Sequence, residues 1–183
     1  MKYHNITKDE MLNGDGLRVV LWVSGCEHHC HNCQNPITWN PAIGLDFDKD
    51  AANELFVELE KAHVDGVTFS GGDPLHPNNR DEVSMLAAYI KSKYPDKTVW
   101  IYTGYLWDQI KDLPGLAYVD VVVDGKFVEE LKDLRYHWAG STNQRVIDVR
   151  ESLRTGRVVL HDNKNGNASE MEVYHENNCR RDA

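Results

Sequence analysis

The chain has 183 residues with 20 basic and 29 acidic side chains, a formal charge of −9. A chain of this length buries roughly two-thirds of its unfolded surface and forms a single domain without disulfide staples. The acidic balance argues against non-specific nucleic-acid or membrane-surface binding, Met1-Lys2-Tyr3-His4-Asn5 has no apolar signal core, and no run approaches transmembrane length, so a cytoplasmic protein with no nucleic-acid or membrane partner is expected.

In chain order, Leu17 to Val23 is an apolar, β-branched run between Asn13-Gly14-Asp15-Gly16 and Ser24-Gly25, and it predicts a buried strand. A polar loop with three cysteines follows, closed by Pro36 and Pro41. Asp46 or Asp48 caps a predicted helix of about fifteen residues with Ala51, Leu55, Leu59 and Ala62 on one face. Val67 to Ser70 predicts a second strand that runs into Gly71-Gly72-Asp73-Pro74. A helix from about Arg80 carries the stripe Val83, Leu86, Ala87 and Ile90. Thr98 to Tyr102 predicts a third strand, Tyr105 to Lys111 a short helix, Tyr118 to Val123 a fourth strand, Val128 to Leu131 a helical turn, and Val146 to Val149 a short fifth strand.

Alternation of this kind implies βα units on a parallel sheet. Glycine-containing loops follow the strands at Ser24-Gly25, Gly71-Gly72, Thr103-Gly104 and Asp124-Gly125, and parallel βα folds place their sites at these strand ends, so the loops are expected to converge. A closed eight-stranded barrel needs about 250 residues. The prediction is therefore α/β, an open partial (βα) barrel of four to five parallel strands. It forms one domain over residues 1–160, with a loosely ordered tail over 161–183 that contains Cys179.

The chemistry is concentrated in Cys26, Cys30 and Cys33. Three clustered cysteines in a reducing compartment favour metal or cluster ligation over disulfides. The seven steps from Cys26 to Cys33 span at most about 25 Å when extended, so the loop must curl to aim its sulfurs inward; Gly25, Asn32 and Asn35 tolerate such turns. Iron–sulfur clusters take thiolate ligands, normally four for a four-iron cluster, and three would leave one iron open to an outside ligand. The competing reading is structural zinc with His28, His29 or His31 as fourth ligand. Zinc sites prefer paired ligand sets from two separated loops, and there is no second set apart from His137 or Cys179 at a distance. Gly71 and Gly72 read either as a place where a ligand approaches the backbone or as a plain strand-to-helix turn. Asp120 and Asp124 fall out of step with the valines at 119 and 121–123, and Asp124-Gly125-Lys126 lies at a strand end, where contact with a cofactor or partner and a turn with a solvated charge are equal readings. Tyr102, Thr103 and Tyr105 read as packing residues, the three loop histidines as solvated, His76 as a neighbour of the glycine loop, and Trp100, Trp107 and Trp138 as core or interface anchors.

The C-x3-C-x2-C loop followed by a Gly-Gly-Asp-Pro loop resembles the radical S-adenosylmethionine superfamily. Within it the chain resembles the glycyl-radical-enzyme activases that serve anaerobic ribonucleoside-triphosphate reductase. The resemblance rests on Asn13-Gly14, VSGC at 23–26, SGGDPLHP at 70–77, YTGY at 102–105, VDGKF at 123–127 and GSTNQR at 140–145. It implies a partial barrel of the radical S-adenosylmethionine type and a [4Fe-4S] cluster on Cys26, Cys30 and Cys33. It also implies S-adenosylmethionine contacts from Asn32, Cys33, Gln34, Gly71, Gly72 and Asp73, the last three meeting the methionine amino group. The implied activity is reductive cleavage of S-adenosylmethionine to make a glycyl radical on the large subunit of the reductase, with reduced flavodoxin or a similar carrier as electron donor. The alternatives are a small enzyme of the same superfamily acting on a purine-like metabolite, against which VDGKF and GSTNQR count, and a non-catalytic zinc-stabilised module.

Overall fold

The computed structural model describes residues 1–161. The tail from 162 onward, with Cys179, lies outside the described residues. The centre of the molecule is a run of four parallel strands, β2 (Arg18–Val23), β4 (Gly66–Gly71), β5 (Thr98–Tyr102) and β6 (Val121–Asp124). Register places Val19 beside Val67, Val67 beside Val99, and Ile101 beside Val122. Alternate residues therefore form two continuous faces.

One face is fully apolar: Val19, Leu21, Val23, Val67, Phe69, Val99, Ile101 and Val122 pack in one cluster with the helices. Helix α1 (Lys49–Leu59) presents Ala51, Leu55 and Leu59, and α2 (Arg80–Lys93) presents Val83, Ala87 and Ile90, the predicted stripes. Each fully buried Leu or Ile on these stripes contributes about 1.5–3 kcal/mol of transfer free energy. The side chain of Asp48 starts α1 by accepting the N–H groups of Asp50 and Ala51. This helix has 11 residues rather than about fifteen, ending at Leu59 before Ala62.

The second face is mixed. Trp100, Val121, Val123 and Val146 form a smaller cluster with Tyr102, Trp138 and Ala139. Beside it Arg18, with no exposed surface, lies 5.3 Å under the Trp100 ring. Its guanidinium donates to Thr68 Oγ1, Thr98 Oγ1 and the carbonyls of Asp15, Val67 and Thr98 at 2.7–3.1 Å. Burial lowers its pKa to about 10, so the side chain remains charged at neutral pH.

Among the described residues the open sheet has seven strands, in the order β3 (Leu45–Asp46), β1 (Lys2–Glu10), β2, β4, β5, β6 and β7 (Arg145–Asp148). Several expectations are corrected. The N-terminal segment forms β1 (Lys2–Glu10), antiparallel to β2 and to the two-residue β3 (Leu45–Asp46), where no strand was predicted. Its alternation is broken by two register shifts, and only Tyr3 and Ile6 are buried. The predicted fourth strand starts at Val121, because Pro114–Tyr118 winds into a 3-10 turn. The short helix narrows to α3 (Trp107–Ile110), and the helical turn to a 3-10 turn over Glu129–Leu131. The fifth strand, β7, is antiparallel to β6, so the parallel strands among the described residues number four. At its end Asp148 caps a further helix, α4 (Val149–Thr155), by accepting the Glu151 N–H. His161, assigned to the tail, is anchored: its N–H donates to the Val146 carbonyl, its ring pairs with Asp15 at 2.8 Å, and it packs edge-on to Trp100. Among the described residues no helix is long and apolar enough to cross a membrane.

Arg18→Met removes donors to five buried or partly buried acceptors while keeping much of the bulk. It is expected to destabilise the metal-free chain by about 3 kcal/mol, read as a lower urea midpoint at unchanged slope.

Candidate functional site

The four strand-end loops do converge. Cys26 after β2, Gly71, Gly72 and Asp73 after β4, Thr103 and Gly104 after β5 and Gly125 after β6 line one cavity of about 640 Å³. Cys30, Cys33 and Gln34 share its wall. The segment after β6 also contributes to its lining, through Phe127, Leu134 and Trp138 among others.

The cysteine loop starts where the Gly25 and Cys26 N–H groups donate to the carbonyls of Thr38 and Trp39, at 2.7 and 2.9 Å. These bonds close the loop on itself and hold Cys26 at the end of β2. Within it His29 and Asn32 adopt left-handed backbone, with φ of 48° and 54°. These are the turns that bring three thiols to one wall, and Asn at 32 suits that conformation. Asn32 itself is exposed and does not line the cavity; Gln34 does. The Cys33 N–H donates to the Cys30 carbonyl at 3.1 Å, and the Asn35 N–H lies 3.4 Å from Cys33 Sγ. The three cysteines are free, and among the described residues no three His, Cys, Asp or Glu side chains stand as a set that could hold a metal ion. Burial, then the charge of Asp73 and the neighbouring sulfurs, pushes the Cys26 thiol up to about 11. A thiolate there requires a cationic partner.

Asp73 lies at the centre of the converging loops and is buried. Its Oδ1 accepts the Leu75 N–H at 2.8 Å, its Oδ2 accepts the Gly104 N–H at 2.9 Å, and the Thr103 hydroxyl lies 2.9 Å from both oxygens. The His28 ring completes the set, with Nε2 2.7 Å from Oδ2. The sequence reading of His28 as a solvated loop residue is corrected here: its side chain is buried between Asp73 and the Tyr105 ring. Tyr105 in turn donates to Glu27, which holds the Glu27 carboxyl below its usual range.

The glycines permit approach of chain to chain. A Cβ on Gly72 would lie 2.6 Å from the Gly25 carbonyl oxygen, one on Gly104 would lie 2.3 Å from the His28 ring, and Gly71 has φ +99° against the Val23 backbone. Gly71 and Gly72 thus lock the second loop onto the first, and the Gly72 and Asp73 N–H groups donate to the Val23 and Gly25 carbonyls.

The remaining candidates are structural neighbours. Asp124 is buried and pairs with Arg145 while accepting the Trp107 N–H, which excludes a solvated turn. Asp120 binds Lys91 and the Val99 N–H. His76 accepts the Asn78 N–H within its own turn. Trp100 and Trp107 are core residues, and Trp138 packs on Trp100. Gln144 bonds Gly140, Ser141 and Gly125, and Asn143 bonds the Lys126 carbonyl, so GSTNQR fastens the lining segment after β6. Gln144 and His28 were missed as site residues; the block GSTNQR was the available signal for the first.

The residue types suit an iron–sulfur cluster, whose separate irons each take one thiolate, so the three thiols need not converge on a single ion. The ligand donors are three thiols on one wall, one already has an N–H beside its sulfur, and two residues of the same lining, Trp39 and Tyr102, carry buried donors, Nε1 and Oη, with no partner of their own. Sulfide, thiolate or a polar ligand would supply acceptors there.

A family model described as a 4Fe-4S single cluster domain matches residues 12–147, which include all three cysteines and every converging loop. The anaerobic ribonucleoside-triphosphate reductase-activating protein of Enterobacteria phage T4 is 44% identical over 146 residues, covering 80% of this chain and 93% of the relative. The proteins of that name from Salmonella typhi and Escherichia coli K12 are each 38% identical over 154 residues, covering 82% of this chain and all of the relative. The chain therefore belongs to the family of anaerobic ribonucleoside-triphosphate reductase-activating proteins and carries a 4Fe-4S single cluster domain.

Proposed function

We propose that the chain activates an anaerobic ribonucleoside-triphosphate reductase by making a glycyl radical on its large subunit. Cys26, Cys30 and Cys33 would hold a [4Fe-4S] cluster, and S-adenosylmethionine would occupy the fourth iron and the adjoining cavity. When bound and reduced by an outside one-electron donor, such a cluster would supply one electron to the sulfonium of S-adenosylmethionine, whose C–S bond would break to give methionine and a 5′-deoxyadenosyl radical able to take a hydrogen atom from a glycine Cα of the reductase. The observation that carries the reading is the placement of all three cysteines, Gly71, Gly72 and Asp73 on one cavity.

The chain's own part is positioning and exclusion of water. The Gly71–Gly72 main chain, where it lines the cavity, and Gln34 are the groups offered to the cofactor's methionine end, while the buried Asp73 carboxylate acts through its hold on His28 and Thr103. Asn32 contributes the turn. Hydrogen-atom transfer requires no general base, so the absence of a nucleophile–base pair among these roles is chemically consistent. The open sheet with one helix-covered face and one cavity-lining face supports a radical S-adenosylmethionine partial barrel. Free thiols support a reducing, cytoplasmic setting, with reduced flavodoxin or a similar carrier as donor.

Cys26→Ala, Cys30→Ala and Cys33→Ala are each expected to abolish reductive cleavage of S-adenosylmethionine, measured as methionine released anaerobically, while Cys179→Ala retains it. Loss on Cys179→Ala with retention in a loop variant would contradict the ligand set. Asp73→Asn keeps the size but weakens the charge-assisted bonds to His28, Thr103 and Gly104. It is expected to lower the rate about 10–100-fold at full iron content. With wild-type protein, S-adenosylmethionine and the reductase, electron paramagnetic resonance should show a glycine-centred doublet; stoichiometric zinc without iron would sink the reading.

A further inference from the structure

We propose that the indole N–H of Trp39 donates a hydrogen bond to sulfur of the cysteine-held cluster and raises its reduction potential; this rests on the cluster reading given above. Trp39 lines the same cavity as Cys26, Cys30 and Cys33. Its main chain is pinned to the cysteine loop, because its carbonyl accepts the Cys26 N–H at 2.9 Å and its own N–H lies 3.3 Å from the Pro36 carbonyl. Its ring is fixed from the other side by His29, which stands between two of the cysteines, with centroids 4.8 Å apart and planes at 87°. Both ends of the side chain are therefore held by the segment that carries the ligands.

The polar atom of that ring is unused. Nε1 is buried and has no hydrogen-bond partner. An indole nitrogen can only donate, and a buried donor left unpaired is uncommon in a folded protein. Neutral thiols are weak acceptors, which accounts for an unpaired donor beside a metal-free loop. Thiolate and sulfide are anionic acceptors, and an N–H aimed at them forms a charge-assisted bond. One-electron reduction makes the cluster more negative, so the bond stabilises the reduced form more than the oxidised form. Hydrogen bonds to cluster sulfurs set potential in this way. Trp39 would thus bring a very low-potential centre within reach of its electron donor.

Trp39→Phe keeps an aromatic ring against His29 and removes the N–H. After iron and sulfide assays establish full loading, the cluster is titrated against potential under electron paramagnetic resonance, without S-adenosylmethionine. The expected result is about a tenfold lower ratio of reduced to oxidised cluster at a fixed potential, equivalent to about 59 mV for one electron. A ratio unchanged within about twofold in the loaded variant overturns the proposal. If Trp39→Phe fails to load, the benzothiophene isostere of tryptophan at position 39 keeps the bicyclic shape without the N–H; the same drop supports the proposal and an unchanged ratio overturns it. A wild-type chain that binds no iron overturns the cluster reading as well, whereas a loaded wild type with unshifted variants overturns this inference alone.

Discussion

The site depends on one buried carboxylate. Asp73 is 1% exposed and carries partners from three different loops: His28 of the cysteine loop, Leu75 of its own turn, and Thr103 with Gly104 at the end of β5. Placing a charge in such surroundings is costly unless every oxygen is satisfied. Here the donors are supplied by separate strand ends, so satisfying the charge and assembling the cavity are the same event. The close approaches at Gly72 and Gly104 follow from that geometry, since a side chain at either position would push one loop off its neighbour.

The sheet below divides the labour between its faces. The helix-covered face is uniformly apolar and supplies the stability. The opposite face carries Arg18, Thr68, Trp100 and Tyr102, groups that need partners and therefore define where a ligand or a covering loop must go. The segment after β6 meets that need through Trp138 against Trp100 and Asp15, and through Gln144 against Gly125. The cavity is therefore walled by the cysteine loop, the strand ends and this covering segment together.

Much of this was legible in the sequence wherever an apolar run ended in glycine. β2, β4, β5, α2 and the Asp48 cap were recoverable because each is a local pattern with a local stop signal. The convergence of the strand-end loops followed from parallel βα order alone. β1 was not legible: Lys2–Glu10 is mostly polar, and its alternation is interrupted where the register shifts. Nor was the direction of β7, because the long segment 125–144 that joins it to β6 folds back through side-chain bonds, Gln144 to the Gly125 carbonyl and Arg145 to Asp124, that strand composition does not announce. His28 was misread for a related reason. Its partner is 45 residues away, and nothing in a cysteine loop with three histidines says which one turns inward. Asn32 was readable for its turn, though not for its exposed position.

The proposed activity requires an iron left free by the chain for the amino and carboxylate groups of S-adenosylmethionine. Pulsed electron–nuclear double resonance on the reduced protein, with S-adenosylmethionine carrying ¹⁷O in the carboxylate and ¹⁵N in the amino group, tests this most directly. Hyperfine coupling from both labels to the cluster is the predicted result. A fully loaded cluster that shows neither coupling, with a protein side chain on the fourth iron instead, would contradict it.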